Sequence, residues 1–210
     1  MVAGPLFLAV GFAQGLARDG FSSTRNAISR LALGEAGWIR TADFLLAGVL
    51  LTGAAVGLRK VLRGGPGGTW GPVLVGVFGV SFWVAAGFPA DAGAGFPAGA
   101  GAGFPAGAGA GFPAGAAEET VMSGDGTVHM AGGTVGHLAL CAAFVVLARA
   151  FAARGLRGWA VACRIVPAFV LAGFMASAAS VLAFTLGAEL GLLWPALVTA
   201  RPAGGTTANR

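Results

Sequence analysis

Charge is what this sequence has least of. Asp, Glu, Lys and Arg together make up only 10% of its residues, against 56% hydrophobic, where a soluble domain carries roughly 25% charged residues. A chain so poor in polar groups cannot cover a folded domain with a water-facing surface, which excludes an ordinary soluble globular protein. Cysteine is also scarce. Cys141 and Cys163 both lie inside apolar blocks, where a free thiol behaves as a small hydrophobe; a disulfide between neighbouring helices is the alternative. Missing too are a phosphate loop, a G-x-S-x-G elbow, a Cys-rich metal cluster and a dinucleotide fingerprint, so no cofactor is implied.

What remains is organised in blocks. Apolar stretches about as long as a bilayer is thick alternate with short segments that hold the charges. Lipid must replace water as solvent for such blocks, and only a helix pairs every backbone N–H and C=O inside its own segment. The expected fold is an all-α, polytopic transmembrane bundle of about six spans, at residues 2–17, 38–58, 70–87, 128–148, 159–179 and 182–200. They form one transmembrane domain over residues 1–201, with a low-complexity Gly/Ala/Phe/Pro loop at 86–117 and a disordered tail at 202–210. The first block is short of the roughly 20 residues a straight span needs. It lacks the basic residues that open a signal peptide, so it reads as a first span. The split between the fifth and sixth spans falls near Ser180. Trp38, Trp70, Trp83 and Trp159 stand at block ends, where indoles anchor at the interface.

The formal net charge of +5 does not mark a nucleic-acid binder, because the basic residues sit in small groups between apolar blocks, the pattern of the positive-inside rule. Arg59, Lys60 and Arg63 follow the second block; Arg149, Arg154 and Arg157 follow the fourth. The connector from Ala90 to Thr127 holds Asp91, Glu118, Glu119 and Asp125 and no base. Both termini are therefore expected in the cytoplasm and the acidic loop outside, in a cell membrane whose lipid is the one certain partner; a homo-oligomer or another membrane protein is left open. The connector with Arg18, Arg25, Arg30 and Arg40 runs against this orientation. Within it, Ala27, Ile28 and Leu31 share one face of a helix beginning near Thr24, with Arg25 and Arg30 opposite, which suggests a short helix on the membrane surface; a solvated connector is the alternative.

From Ala86 to Gly115 an eight-residue unit repeats, with Phe-Pro pairs at Phe88, Phe96, Phe104 and Phe112. Its Pro and Gly content opposes both helix and regular strand, and it reads as a low-complexity loop expanded by duplication.

Few residues bring chemistry to membrane depth. Asp43 is a proton or cation ligand, or else the partner of Arg40 three residues earlier on the same helix face. Glu189 lies within the sixth span or at its outer entry. His129 and His137 are about 80° apart around a helix, poor geometry for chelation. His129 with Asp91 and Asp125 forms a weak candidate metal site, of a kind that suits zinc. His137 reads as an interhelical hydrogen-bonding residue, and Arg164 as a snorkelling one.

Several segments in this order resemble the bacterial six-helix membrane proteins grouped as domain-of-unknown-function family 998. They are R-N-A-I-S-R-L at Arg25 to Leu31, G-W-I at Gly37 to Ile39, T-A-D-F-L-L-A-G at Thr41 to Gly48, F-P-A-D-A-G-A-G-F-P-A-G at Phe88 to Gly99 and H-M-A-G-G-T-V-G at His129 to Gly136. The likeness covers about Val2 to Arg201 and makes the repeat an insertion that multiplies the family's own turn. Relatives often carry a second His four residues before His129, where this chain has Asp125. The resemblance implies a multi-pass membrane protein without an established activity. Three functions follow from these residues. The first is a structural or accessory membrane protein. The second is a small transporter or channel using Asp43 and Glu189. The third is a metal-dependent membrane hydrolase acting on lipid through His129, Asp91 and Asp125.

Overall fold

The computed structural model describes residues 2–19, 21–23, 26–91, 123–176 and 181–200, with backbone only for 196–200. Arg25, the repeat units from Phe96 onward, Glu118, Glu119, the polar run at Ser177 to Ser180 and the tail lie outside the described residues. All regular structure among those described is helical: α1 (Ala3–Leu16), a 3₁₀ segment (Ile28–Ala32), α2 (Gly37–Leu62), α3 (Trp70–Gly87), α4 (Gly124–Ala153), α5 (Arg157–Ala176) and α6 (Val181–Ala200). α2, α3, α4 and α5 are each long and apolar enough to cross a membrane; α1 and the described part of α6 are apolar but shorter.

Each helix packs against its neighbour in the chain, and α6 returns to α1, so the six close into a ring. The interior is aromatic. Phe7 of α1, Phe44 of α2 and Phe82 of α3 meet with ring centroids 5.0–5.9 Å apart, and Phe78 joins Phe82 edge-on at 5.1 Å. Tilted and edge-to-face contacts of this kind suit the ring quadrupoles. The outer face is apolar as well, with Leu45, Leu46, Val49 and Val56 exposed along α2, as lipid contact requires. Trp38 and Trp70 are among the most exposed large side chains, and Arg164 is exposed. Cys141 and Cys163 are buried and free.

Helix ends are set locally. Ser123 caps α4, its Oγ accepting from the Gly126 N–H at 3.0 Å. α4 stops at Gly155 (φ 72°), where the Leu156 N–H reaches the Phe151 carbonyl and the Gly155 N–H that of Ala152, a Schellman closure that needs a left-handed residue. Where α5 meets α6, Gly173 and Gly187 let the backbones touch: a Cβ on Gly173 would sit 2.7 Å from the Ala183 oxygen and 2.9 Å from the Gly187 Cα. Small residues are how membrane helices approach this closely.

The connector after α1 departs from the expected surface helix. It forms a 3₁₀ segment tucked beneath the helix ends, with Leu31 and Arg30 both buried. The cause is polar. Gln14 Nε2 donates to the carbonyls of Leu31 (3.2 Å) and Ala36 (2.8 Å), and Arg18 Nη1 donates to Leu31 at 3.0 Å. An α-helix would have used that carbonyl within itself; the tighter turn frees it for side chains from α1.

Gly173→Val is expected to force α5 from α6 and lower the detergent melting temperature, at a cost of about 1–3 kcal/mol for overpacking. Gly53→Ala, at a position with open space around it, should leave stability equal or slightly higher. Circular-dichroism melts of both variants test this; equal losses would contradict the close contact.

Candidate functional site

Most buried polar side chains gather at the end of the bundle where α1 stops and α2 begins. Arg40, in the first turn of α2, is fully buried. Its Nη1 donates to Asp43 Oδ2 at 2.7 Å and to the Phe7 carbonyl at 3.1 Å. Its guanidinium carbon lies 3.6 Å from the centroid of the Phe7 ring and 4.9 Å from that of Phe44. Helical i,i+3 spacing brings the pair together, and the aromatic faces add cation–π attraction where water is absent. Asp43 is thereby committed to Arg40.

Arg30 is the second buried cation of this end. Burial pushes its pKa down to about 10, while the Asp91 carboxylate acts in the opposite direction. Asp91 itself accepts hydrogen bonds from the Ser123 N–H (2.8 Å) and from the Ser123 hydroxyl, and its carboxylate occupies the space a Cβ on Gly126 would need. His129, one turn into α4, is buried; its Nδ1 lies 2.8 Å from the Phe88 carbonyl, and its ring meets Phe44 edge-on at 6.3 Å. A carbonyl only accepts, so Nδ1 carries the proton. Asp125 is exposed on the first turn of α4, where a carboxylate suits the helix dipole. His129 and Asp91 thus serve backbone and Ser123, and Asp125 faces outward. Among the described residues no group of three or more His, Cys, Asp or Glu comes together as a metal cage would require. His137 lies deeper, donating from Nδ1 to the Gly133 carbonyl at 2.8 Å and packed between Phe78 and Phe174.

Glu189 differs from the other acids. It stands near the middle of α6, one turn beyond Thr185, and among the described residues its Oε1 is buried without a hydrogen-bond partner, as are the Thr185 hydroxyl and single nitrogens of Arg30 and His137 and two of Arg40. Thr185 is only 7% exposed. The two residues, with Ile28, line two cavities at once. One, of about 110 Å³, is walled by Phe7, Phe44, Phe82, His129 and Phe184. The other, of about 180 Å³, is walled by Gly15, Phe21, Ser22, Ser23 and Asn26. Each has room for several waters. Sequence reasoning singled out Glu189, Asp43, His129 and His137 but missed Thr185. The available signal was its i,i+4 spacing from Glu189 on an otherwise apolar helix.

Arg40→Met should destabilise the bundle by about 3–5 kcal/mol, because it leaves Asp43 buried without its partner. The double change Arg40→Met with Asp43→Leu should be milder than Arg40→Met alone. Melting temperatures of the two variants check the order, and the reverse order would show that the pair contributes little.

The model for the family described as "Protein of unknown function (DUF998)" matches residues 1–201, nearly the whole chain. No curated protein and no solved structure matches it.

Proposed function

The chain belongs to the DUF998 family, and from that footing we propose that it is a six-span protein of the cell membrane that binds and passes a small cation or proton through the paired cavities, with Glu189 as the charged ligand. The observation that carries this is the half-buried Glu189 carboxylate at mid-helix between two cavities, the one acid among the described residues with a buried oxygen that no described group satisfies. A carboxylate at membrane depth is costly and needs a proton or a cation to answer it. Leaving a buried polar group unpaired costs about 1–3 kcal/mol, and an apolar residue at 189 would avoid that cost in a protein whose role were only structural. Thr185 offers a second oxygen one turn away.

Six spans follow if α1 and α6, which close the ring, cross the bilayer with the four longer helices. The basic groups after α2 and α4 then lie in the cytoplasm with both termini. The contrary connector loses part of its weight, because Arg30 and Arg40 are buried rather than solvated loop charges. The lipid-hydrolase reading draws no support from His129, Asp91 and Asp125, whose groups are engaged elsewhere or exposed. The accessory reading is the one to which the protein returns if Glu189 is silent.

The test is current across a solid-supported membrane loaded with reconstituted protein, recorded with protons, sodium, potassium and simple ammonium salts in turn. Wild type is expected to carry current with at least one of them, and Glu189→Gln, melting at the same temperature, to lose most of it. Equal currents in the two proteins, or none in wild type, would return the chain to an accessory role.

A further inference from the structure

We propose that the ligand of the smaller cavity is an organic ammonium ion, a small alkylated amine rather than a metal cation. The inference rests on the reading of Glu189 given above and adds the chemical class of the ligand.

The first argument is the wall. Four phenylalanines from four different helices line this cavity: Phe7 of α1, Phe44 of α2, Phe82 of α3 and Phe184 of α6. Aromatic rings beside a single carboxylate are the pairing that recognises alkylammonium groups, since the ring faces attract the spread positive charge and the methyl groups lose water against them. Phe7 and Phe44 already do this for one cation, the Arg40 guanidinium.

The second argument is the shortage of oxygen. A hard metal cation takes about six or more oxygen ligands. The side-chain oxygens that line the cavity come from Ser29, Ser81, Thr185 and Glu189. Three hydroxyls and one carboxylate fall short of the oxygen shell a hard metal ion takes. An alkylammonium ion carries a weak shell and needs only one counter-charge.

The third argument is the charge balance. The titratable groups about the cavity are Glu189 from α6, His129 from α4, and the Arg40–Asp43 pair of α2 behind the Phe7 and Phe44 rings. Arg40 and Asp43 answer each other. Among the described residues Glu189 has no ion-pair partner, so the cavity presents one negative group to an incoming ligand. The larger cavity, with Ser22, Ser23 and Asn26 in its wall, adjoins at Glu189 and Thr185 and supplies a polar approach.

Isothermal titration calorimetry on the full-length protein in a non-ionic detergent tests this, with three probes: tetramethylammonium chloride, sodium chloride at equal ionic strength, and the uncharged isostere 3,3-dimethylbutan-1-ol. Saturable binding of tetramethylammonium is expected, with none of the alcohol. Glu189→Gln should abolish it. Phe184→Leu should weaken it roughly tenfold, the value of one desolvated cation–π contact, and Phe184→Tyr, which keeps the ring, should restore it. Alcohol binding as tight as tetramethylammonium would overturn the proposal by showing a merely apolar hole. Sodium binding that depends on Glu189, without tetramethylammonium binding, would overturn the ligand class and leave the role of Glu189 standing. Heats that do not depend on Glu189 with either salt would overturn both.

Discussion

A positive charge sealed inside a membrane bundle must be answered from within the bundle, and the answer to Arg40 is what ties this fold together. Asp43 neutralises it, the Phe7 carbonyl accepts from it, and the Phe7 and Phe44 rings cover its faces. Two of those partners belong to α1. With only 14 residues, α1 has little surface to bury, and lipid gives apolar side chains almost no reason to prefer a protein neighbour. Its hold on the bundle is therefore polar: Arg40 grips it near its middle, and Gln14 and Arg18 bind the connector below. Once α1 is fixed, α6 has a surface to close against. A Cβ on Gly4 would collide with the Leu192 carbonyl, so the two backbones lie in direct contact.

That arrangement separates the buried polar groups into two kinds. Asp43, His129 and Asp91 each have a protein partner, and their work is to place helices. Among the described residues Glu189 Oε1 and the Thr185 hydroxyl have none, and they stand where two cavities meet. In a low-dielectric interior an unmet polar atom is expensive, and the other buried atoms without a partner belong to Gln14, Arg30, Arg40 and His137, which line neither cavity. Intramembrane position alone did not separate the two kinds; the spacing of Asp43 from Arg40 offered it a partner, and no basic residue stands at such a spacing from Glu189. The structure separates them by their neighbours.

The helical class, the family likeness and the spacing that lets Asp43 pair with Arg40 were legible in the sequence, because each depends on local composition, on short motifs or on a spacing of three residues. The connector was not. Its apolar stripe at Ala27, Ile28 and Leu31 has helical spacing, and the donors to the Leu31 and Ala36 carbonyls, Gln14 and Arg18, lie 13 to 22 residues earlier in the chain. Arg30 and Arg40 likewise look like loop charges until tertiary contacts bury them. The cavity was hidden for a stronger reason. Its walls come from α1, α2, α3, α4, α6 and the 3₁₀ segment, and no periodicity within one helix reports that Phe184 and Phe7 face the same space.

At the base of the repeat, contacts between α3 and α4 join the two helix ends directly. Residues 92–122 separate Asp91 from Ser123, yet those two residues are hydrogen-bonded to each other twice, and Phe88 is tied to His129 further out. The ends of α3 and α4 are thus fixed by contacts that use only the first residues of the repeat, Phe88 and Asp91. Closing a longer connection costs little more than closing a shorter one, roughly 0.6 kcal/mol for each doubling of length. With the ends already clamped, a duplicated octapeptide adds only that small term and leaves the helix geometry untouched. The same clamp holds Asp91 beside Arg30 and His129 against the cavity wall. The junction from which the repeat extends is therefore also the one that sets His129 in this side of the cavity wall.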